Sequence, residues 1–363
     1  MAVHTEMEGL IESIKRLHES QYDLIADTRS MSVVPAEERP ADDHEAMWTP
    51  VTTLTIDQPT GLTSLDLSDH ALGQMATDLE IPKRYFDRMR SIAPGLFQTN
   101  VHHWLYETPK RKLVRARKTD TTDVGRAWLS DRYRRLDNIE VAYKLLPELN
   151  NVGEAWEIHN ASISDTKFHF RATFPAMEKA IKVGDPVRWG LQITNSEVGG
   201  AQFSIDNFVM RLACINGMVV TKVMSARHVG KRLGDNLSDE AIRADDKAFW
   251  LAARDELRAS ISEERFEEVV ATLRGATEGS HIVAPIKATE TLAKTFDLTD
   301  GEKDAVLLNL ASGGDMSKWG ALNAVTAAAK SSESFDRRVE MEEIGWKVAE
   351  LSTREWDRIA VAA

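Results

Sequence analysis

The residues best suited to chemistry form a basic segment from Lys110 to Arg135. It contains ten lysines and arginines against three aspartates, which gives it a charge of +7. The whole chain carries −12, so the rest of the chain sums to −19. An acidic protein repels polyanions from most of its surface and can bind one only through a local cationic surface. The segment is therefore a candidate site for binding nucleic acid.

Aromatic residues lie between these cations, and Trp128 and Tyr133 are candidates for stacking on bases. Cations along a groove and aromatic rings between them are the combination that binds single-stranded nucleic acid, with stacking worth about 1–3 kcal/mol per base. The predicted nucleic-acid contacts are Lys110, Arg111, Lys112, Arg115, Arg117, Lys118, Trp128, Arg132, Tyr133, Arg134 and Arg135.

The same segment also has a purely structural interpretation. A surface hairpin could use its cations to form ion pairs with acidic helices, and residues 238–274 have the composition of such helices. Charge runs in globular proteins often serve this purpose. The sequence alone leaves both interpretations open.

Motifs for catalysis or cofactor binding are missing from the sequence. It contains no glycine-rich phosphate loop, no dinucleotide fingerprint, no HExxH and no nucleophile elbow. Its single cysteine, Cys214, excludes an intramolecular disulfide. We therefore predict no catalytic residue, no metal and no cofactor. A metal-dependent nuclease whose acids meet only in the folded chain stays open as an alternative.

The elements at the N-terminal side are predicted from apolar spacing. Residues 4–27 have the pattern of an amphipathic helix, and 28–46 are polar and contain proline, which indicates a linker or mobile loop. Within 62–90, two short helices follow Ser68, a good N-cap. They resemble a helix-turn-helix, but the second helix is not obviously basic, so a plain helical corner is favoured and contact with DNA stays open.

Alternation with period two predicts antiparallel strands in the middle of the chain. In KFHFRATF, Phe168, Phe170 and Phe174 share one face, and His169 and Arg171 share the other. The basic segment itself is predicted as a hairpin of strands 112–118 and 126–130. A helix is predicted over 139–149, strands are predicted over 156–163, 167–174 and 187–194, and 201–223 fit either helix or strand.

These patterns predict an α+β fold, with an antiparallel β-rich central domain and an inserted helix, flanked by N-terminal helices and a C-terminal helical region. The predicted divisions are 1–46 for the N-terminal helix and mobile linker, 47–237 for the α+β core with the basic hairpin, and 238–363 for the helical region. Because no apolar run approaches the length of a membrane span and no signal core begins the chain, we expect a cytoplasmic protein that has no membrane partner.

Four stretches together resemble the phage/plasmid-like protein family. They are ALGQMATDLEIPKRYFDRM (71–89), WLSDRYRRLDN (128–138), VMRLACINGMV (209–219) and SKWGALNAVTAAAK (317–330). The resemblance runs in the same order from about residue 48 to near the C-terminus. Members of that family occur in phages, prophages and plasmids and carry a domain of unknown function. The resemblance thus implies a genetic context and a host-cell location, and it implies no catalytic residue.

The leading hypothesis is a non-enzymatic protein that binds single-stranded nucleic acid and assists phage or plasmid recombination or annealing. By analogy of fold alone with phage annealing proteins, its subunits would assemble into a homo-oligomer, with a phage or host replication or recombination protein as a further partner. The alternative is a protein-binding counter-defence module. Its acidic helices in 238–274 would mimic DNA, and the basic segment would then be internal structure.

Overall fold

Two β-sheets carry the architecture, and helices pack against both. The computed structural model describes residues 2–35, 51–214, 216–226, 238–332 and 334–361. Most strand pairs are antiparallel, and helices precede, interrupt and follow the strands. The predicted α+β class is therefore confirmed.

The first sheet has six strands in the spatial order β1-β5-β6-β4-β3-β2. Its neighbours are antiparallel except β4 and β6, which meet in a short parallel pairing. The strands are β1 (Gln21–Asp27), β2 (Met31–Pro35), β3 (Thr52–Gln58), β4 (Gly61–Leu67), β5 (Arg111–Arg117) and β6 (Val124–Ser130).

Three helices, α2 (Asp69–Asp78), α3 (Lys83–Ile92) and α4 (Pro94–Glu107), pack against one face of this sheet. The predicted cap is present, since the Ser68 hydroxyl oxygen accepts a hydrogen bond from the Ala71 backbone N–H at 3.2 Å. The predicted helix pair is thus confirmed for α2 and α3, although residues 62–67 belong to strand β4.

The remaining helices surround the second sheet. They are α1 (Ala2–Glu19), α5 (Asn138–Lys144), α6 (Asp239–Ser260), α7 (Glu263–Gly275), α8 (Pro285–Phe296), α9 (Asp300–Gly313), α10 (Lys318–Ala328), α11 (Phe335–Glu350) and α12 (Thr353–Ala360). Short 3-10 helices span Thr28–Ser30, Leu146–Asn151 and Ala329–Ser331. None of the helices among the described residues combines the length and the apolar character needed to cross a membrane.

The second sheet is fully antiparallel, in the order β11-β10-β9-β8-β7. Phe168, Phe170 and Phe174 are fully buried in the main core, as the alternation predicts. His169 and Arg171 on the opposite face are also buried, because α11 covers that face and supplies their acidic partners. The strands are β7 (Glu157–Ile163), β8 (Phe168–Lys182), β9 (Asp185–Asn195), β10 (Phe203–Arg211) and β11 (Asn216–Ala226).

Several predicted boundaries are wrong. The helix predicted over 4–27 ends at Glu19, and its last part is strand β1, where Tyr22 and Leu24 pack against the first-sheet core. Of the predicted linker 28–46, residues 28–35 form a 3-10 helix and strand β2, and residues 36–46 lie outside the described part. The ambiguous stretch 201–223 contributes the hairpin of β10 and β11.

A substitution at Gly190 would test how tightly the second sheet is packed. A Cβ at this position in β9 would lie 2.3 Å from Cε1 of Phe208 and 2.8 Å from the Ala172 carbonyl oxygen. We expect Gly190→Ala to lower the free energy of unfolding by about 1–3 kcal/mol through overpacking, measured by urea denaturation. Gly95→Ala is the control, since its Cβ would meet nothing within 4 Å and alanine favours the α4 helix. Equal stability of the two variants would contradict this packing.

Candidate nucleic-acid interface

The basic segment folds as the hairpin predicted for it. Strands β5 and β6 pair antiparallel, with Val114 opposite Trp128 and Lys112 opposite Ser130. Strand β5 also pairs with β1, so the hairpin occupies the interior of the first sheet rather than a free edge. The positions of its cations are therefore determined by what packs on each face of that sheet.

Arg115, at the centre of the hairpin, is buried among acids, with only 4% of its surface exposed. Its Nε donates to Oδ1 of Asp23 at 2.9 Å, and its Nη1 donates to Oδ1 of Asp137 at 2.7 Å. Nη1 also donates to the Glu197 carbonyl oxygen at 2.9 Å. Although burial acts to lower it, the pKa of Arg115 is raised by these carboxylates. This guanidinium is thus fully engaged within the protein.

Glu197 forms a second centre of buried charge beside Arg115. Its Oε2 lies 3.2 Å from Nη1 of Arg126 and accepts a hydrogen bond from Nε2 of Gln21 at 3.0 Å. Its Oε1 accepts from the backbone N–H of Asn138 at 3.0 Å. Because Glu197 lies in the connection between β9 and β10, these contacts join the first sheet to the second.

On the other face of the sheet, Asp78 gathers two more cations of the segment. Its Oδ1 lies 2.8 Å from Nζ of Lys112 and 3.1 Å from Nζ of Lys110. Trp128 donates its indole N–H to Oδ2 of Asp78 at 3.1 Å. Although burial acts to raise it, the pKa of Asp78 lies below its usual value because of these hydrogen bonds.

Neither aromatic candidate presents a free ring. Trp128 is 2% exposed and belongs to the core under α2–α4, so the expectation of a surface ring at Trp128 is wrong. Tyr133 packs on the small cluster around Leu129 and Val198, and its hydroxyl donates to the Ser196 carbonyl oxygen at 3.1 Å. Burial raises the pKa of that hydroxyl. Both side chains act as structural contacts in this fold.

Three further cations of the segment form ion pairs with acids from different elements. Arg134 lies 3.2 Å from Oδ2 of Asp245 and 3.0 Å from Oδ1 of Asp246 on α6, as the structural interpretation expects. Arg135 contacts Asp23 at 3.0 Å, and Arg117 lies 3.8 Å from Asp165.

Half of the ten cations in the segment are exposed. They are Lys110, Arg111, Lys118, Arg132 and Arg135. Arg111 begins β5 and Lys118 follows its end, so about 23 Å of extended strand separates the two. Of the phosphate-binding strip predicted from the sequence, only the exposed cations face solvent, and contact with nucleic acid at them stays a prediction.

Helix α3 carries the cationic surface that sequence reasoning missed. Arg84 and Arg88 are exposed, lie one helical turn apart, and form no ion pair with any described residue. Arg90 in the same helix is buried and contacts Asp69 at 3.2 Å. The signal in the sequence was the four cations in KRYFDRMR. Only the structure shows that Lys83 and Arg90 are paired with acids, whereas Arg84 and Arg88 are exposed without an ion pair to a described residue.

The orientation of α3 follows from its apolar face. Phe86 is fully buried and meets Phe97 of α4 edge to face, with ring centroids 4.9 Å apart. Met89 is buried one turn later. This contact holds the opposite face, which includes Arg84, Tyr85 and Arg88, towards solvent. Tyr85 is 47% exposed.

Within the described ranges, no three His, Cys, Asp or Glu side chains come together so that they could hold a metal ion. Comparisons of the chain with protein-family models, with curated proteins and with solved structures found no match. The resemblance to the phage/plasmid-like family therefore stays a prediction.

A substitution at Arg115 would test whether the paired cations of the hairpin stabilise the fold. Arg115→Ala leaves buried acids without their partner, and we expect it to lower the free energy of unfolding by about 3–5 kcal/mol in a urea titration. Arg111→Ala, on the same strand but exposed, should change it by no more than about 0.5 kcal/mol. Similar effects of both substitutions would show that the buried network contributes little.

Proposed function

We propose that this protein binds single-stranded nucleic acid without cleaving it, and that the exposed face of α3 makes the first contact. The observation that carries the proposal is the pair Arg84 and Arg88. They are exposed on one side of a rigidly packed helix and lack an acidic partner among the described residues.

The state of each cation before binding favours α3 over the hairpin. To reach a phosphate, Lys112, Arg115 and Arg126 would have to leave their carboxylate partners, which are half-buried or buried. Those carboxylates would then lack a counter-charge, which is unfavourable. To bind a phosphate, Arg84 and Arg88 would give up only their contacts with water. Their planar guanidinium groups also match the geometry of phosphate oxygens.

Tyr85 adds a ring to this surface. It lies next to Arg84 in the sequence and is 47% exposed, so a base can reach its face. Single-strand binding proteins combine such rings with cations that track the backbone. In this proposal Tyr85 takes the stacking role that the sequence predicted for Trp128.

The surface is short, because α3 has 10 residues and spans only about 15 Å. One copy would hold few nucleotides. A homo-oligomer would align several such helices along one strand, which fits the proposed role as a recombination or annealing accessory of a phage or plasmid in its host cell.

Charge reversal on α3 tests the proposal. Arg84→Glu/Arg88→Glu should weaken binding of a fluorescein-labelled oligothymidylate by roughly tenfold or more, measured by anisotropy, because two charge-assisted contacts are lost. The wild-type affinity should fall as the salt concentration rises. The slope of log K against log salt concentration should be smaller in magnitude by roughly 1.4 for the variant, because two phosphate contacts are lost.

The control for charge alone is Arg354→Glu/Arg358→Glu on α12, where two exposed arginines have the same spacing. If both double variants weaken oligonucleotide binding equally, the loss comes from the change in net charge, and the assignment to α3 is overturned. A preference of the wild type for duplex over single strands would instead favour a helix-turn-helix role for α2 and α3.

Tyr85→Ala separates stacking from charge. We expect it to cost about 1–3 kcal/mol of binding free energy for the same oligonucleotide, with little change in the salt slope. Tyr143→Ala is the matched control, since Tyr143 is 57% exposed on α5. No difference between the two variants would remove Tyr85 from the binding surface.

The second candidate is the protein-binding module with an acidic surface. It is favoured by one observation, that the basic hairpin is internal structure paired with acids. On α7, Glu264 and Glu268 are exposed one turn apart, without an ion pair to any residue described in the structure. Failure of the folded wild type to bind any oligonucleotide would favour this candidate over the first.

A further inference from the structure

A cleft of about 370 Å³ lies between the strands β10 and β11 and the C-terminal half of α11. Its charged lining consists of Asp206 and Lys222 on the strands and Glu343, Lys347 and Glu350 on the helix. It lies on the second sheet, away from α3 and from the basic hairpin. The cleft is therefore independent of the proposed nucleic-acid surface.

Asp206 is an incompletely paired carboxylate in the lining of this cleft. The residue is only 4% exposed. Its Oδ2 accepts a hydrogen bond from the Ser204 hydroxyl at 2.6 Å, whereas its Oδ1 is buried and has no hydrogen-bond partner among the described residues. A buried carboxylate oxygen without a partner is costly, so a ligand that donates a hydrogen bond to it would offset that cost.

The surroundings of Asp206 favour a cation over an anion. With Asp206 ionised, the cleft carries three carboxylates and two lysines, and is thus net negative. Lys222 acts on the carboxylate through space but makes no hydrogen bond to it. An incoming positive charge would complete the pairing of Oδ1 and balance the cleft.

The remaining lining is apolar. Val219 and Val220 are nearly buried, and Trp346 of α11 contributes an indole ring. An indole face attracts ammonium and guanidinium groups, and the valines suit the short aliphatic stem that carries them. We propose that this cleft is a binding site for a small organic cation, with an ammonium or guanidinium head on Asp206 and a short apolar body against Trp346.

The experiment is calorimetric titration of the full chain with n-butylguanidinium and n-butylammonium chloride. Sodium chloride controls for ionic strength, and n-butanol controls for the apolar body. We expect the organic cations to bind and n-butanol to bind at least roughly tenfold more weakly, since it lacks the charge-assisted hydrogen bond. Absence of binding by both cations, or equal binding of n-butanol, would overturn the proposal.

Asp206→Asn should weaken cation binding by roughly tenfold or more while the unfolding temperature stays equal or rises, because an incompletely paired buried charge is removed. Asp57→Asn is the control, an exposed strand aspartate on the other sheet, and should bind as the wild type does. Trp346→Leu provides a test that leaves the carboxylate intact, and it should weaken binding several-fold. Unchanged binding by either cleft variant would contradict the site.

The pH dependence gives a further readout. Burial raises the pKa of Asp206 to about 6, with Lys222 and Arg171 acting to lower it and Glu343 acting to raise it. Because the cation needs the ionised carboxylate, its affinity should fall as the pH drops through about 6 and level off above it. Affinity that is the same at both ends of this range would argue against Asp206 as the ligand.

Discussion

The buried charge network around Arg115 and Glu197 is the interaction on which the rest of the structure depends. Arg115 joins β5 to Asp23 and Asp137, and Glu197 reaches Arg126 from the connection between β9 and β10. A guanidinium keeps its charge at any ordinary pH, so its burial requires acids at these distances. These contacts join the two sheets, and separating the sheets would leave Glu197 and Arg126 without each other.

This network also bears on the proposed binding of a polyanion. Five of the ten cations in the basic segment are buried or half-buried and paired with acids, so the charge of the segment overstates what it presents to a phosphate. Helix α3 differs because its apolar residues Phe86 and Met89 supply its packing, which leaves Arg84 and Arg88 free for solvent or a ligand. For this reason we propose α3, and not the more highly charged basic segment, as the surface that contacts nucleic acid.

The second sheet also contains buried charged groups, of which Arg171 is paired and Asp206 is only partly paired. Arg171 is buried, donates to Gln192 at 2.7 Å and to Oε1 of Glu342 at 3.1 Å, and lies between the rings of Phe208 and Phe335. Asp206, on the neighbouring part of that sheet, has one oxygen paired and one not. The unpaired oxygen is the reason that we propose the cleft beside Asp206 as the binding site of an added cation.

The sequence by itself determined the α+β class, the β5–β6 hairpin, the Ser68 cap and the buried phenylalanines of β8, because each depends on neighbours within a few residues. It mistook β1 for helix. Tyr22 and Leu24 are two apart, which is the spacing of a strand, but one such pair is too short a pattern to end the preceding helix, and the partner strand β5 lies far along the chain. Only the tertiary structure decided that Arg115 is buried while Arg84 is exposed. The acids that pair with Arg115 come from three distant segments, and no local pattern records which cations such acids will reach.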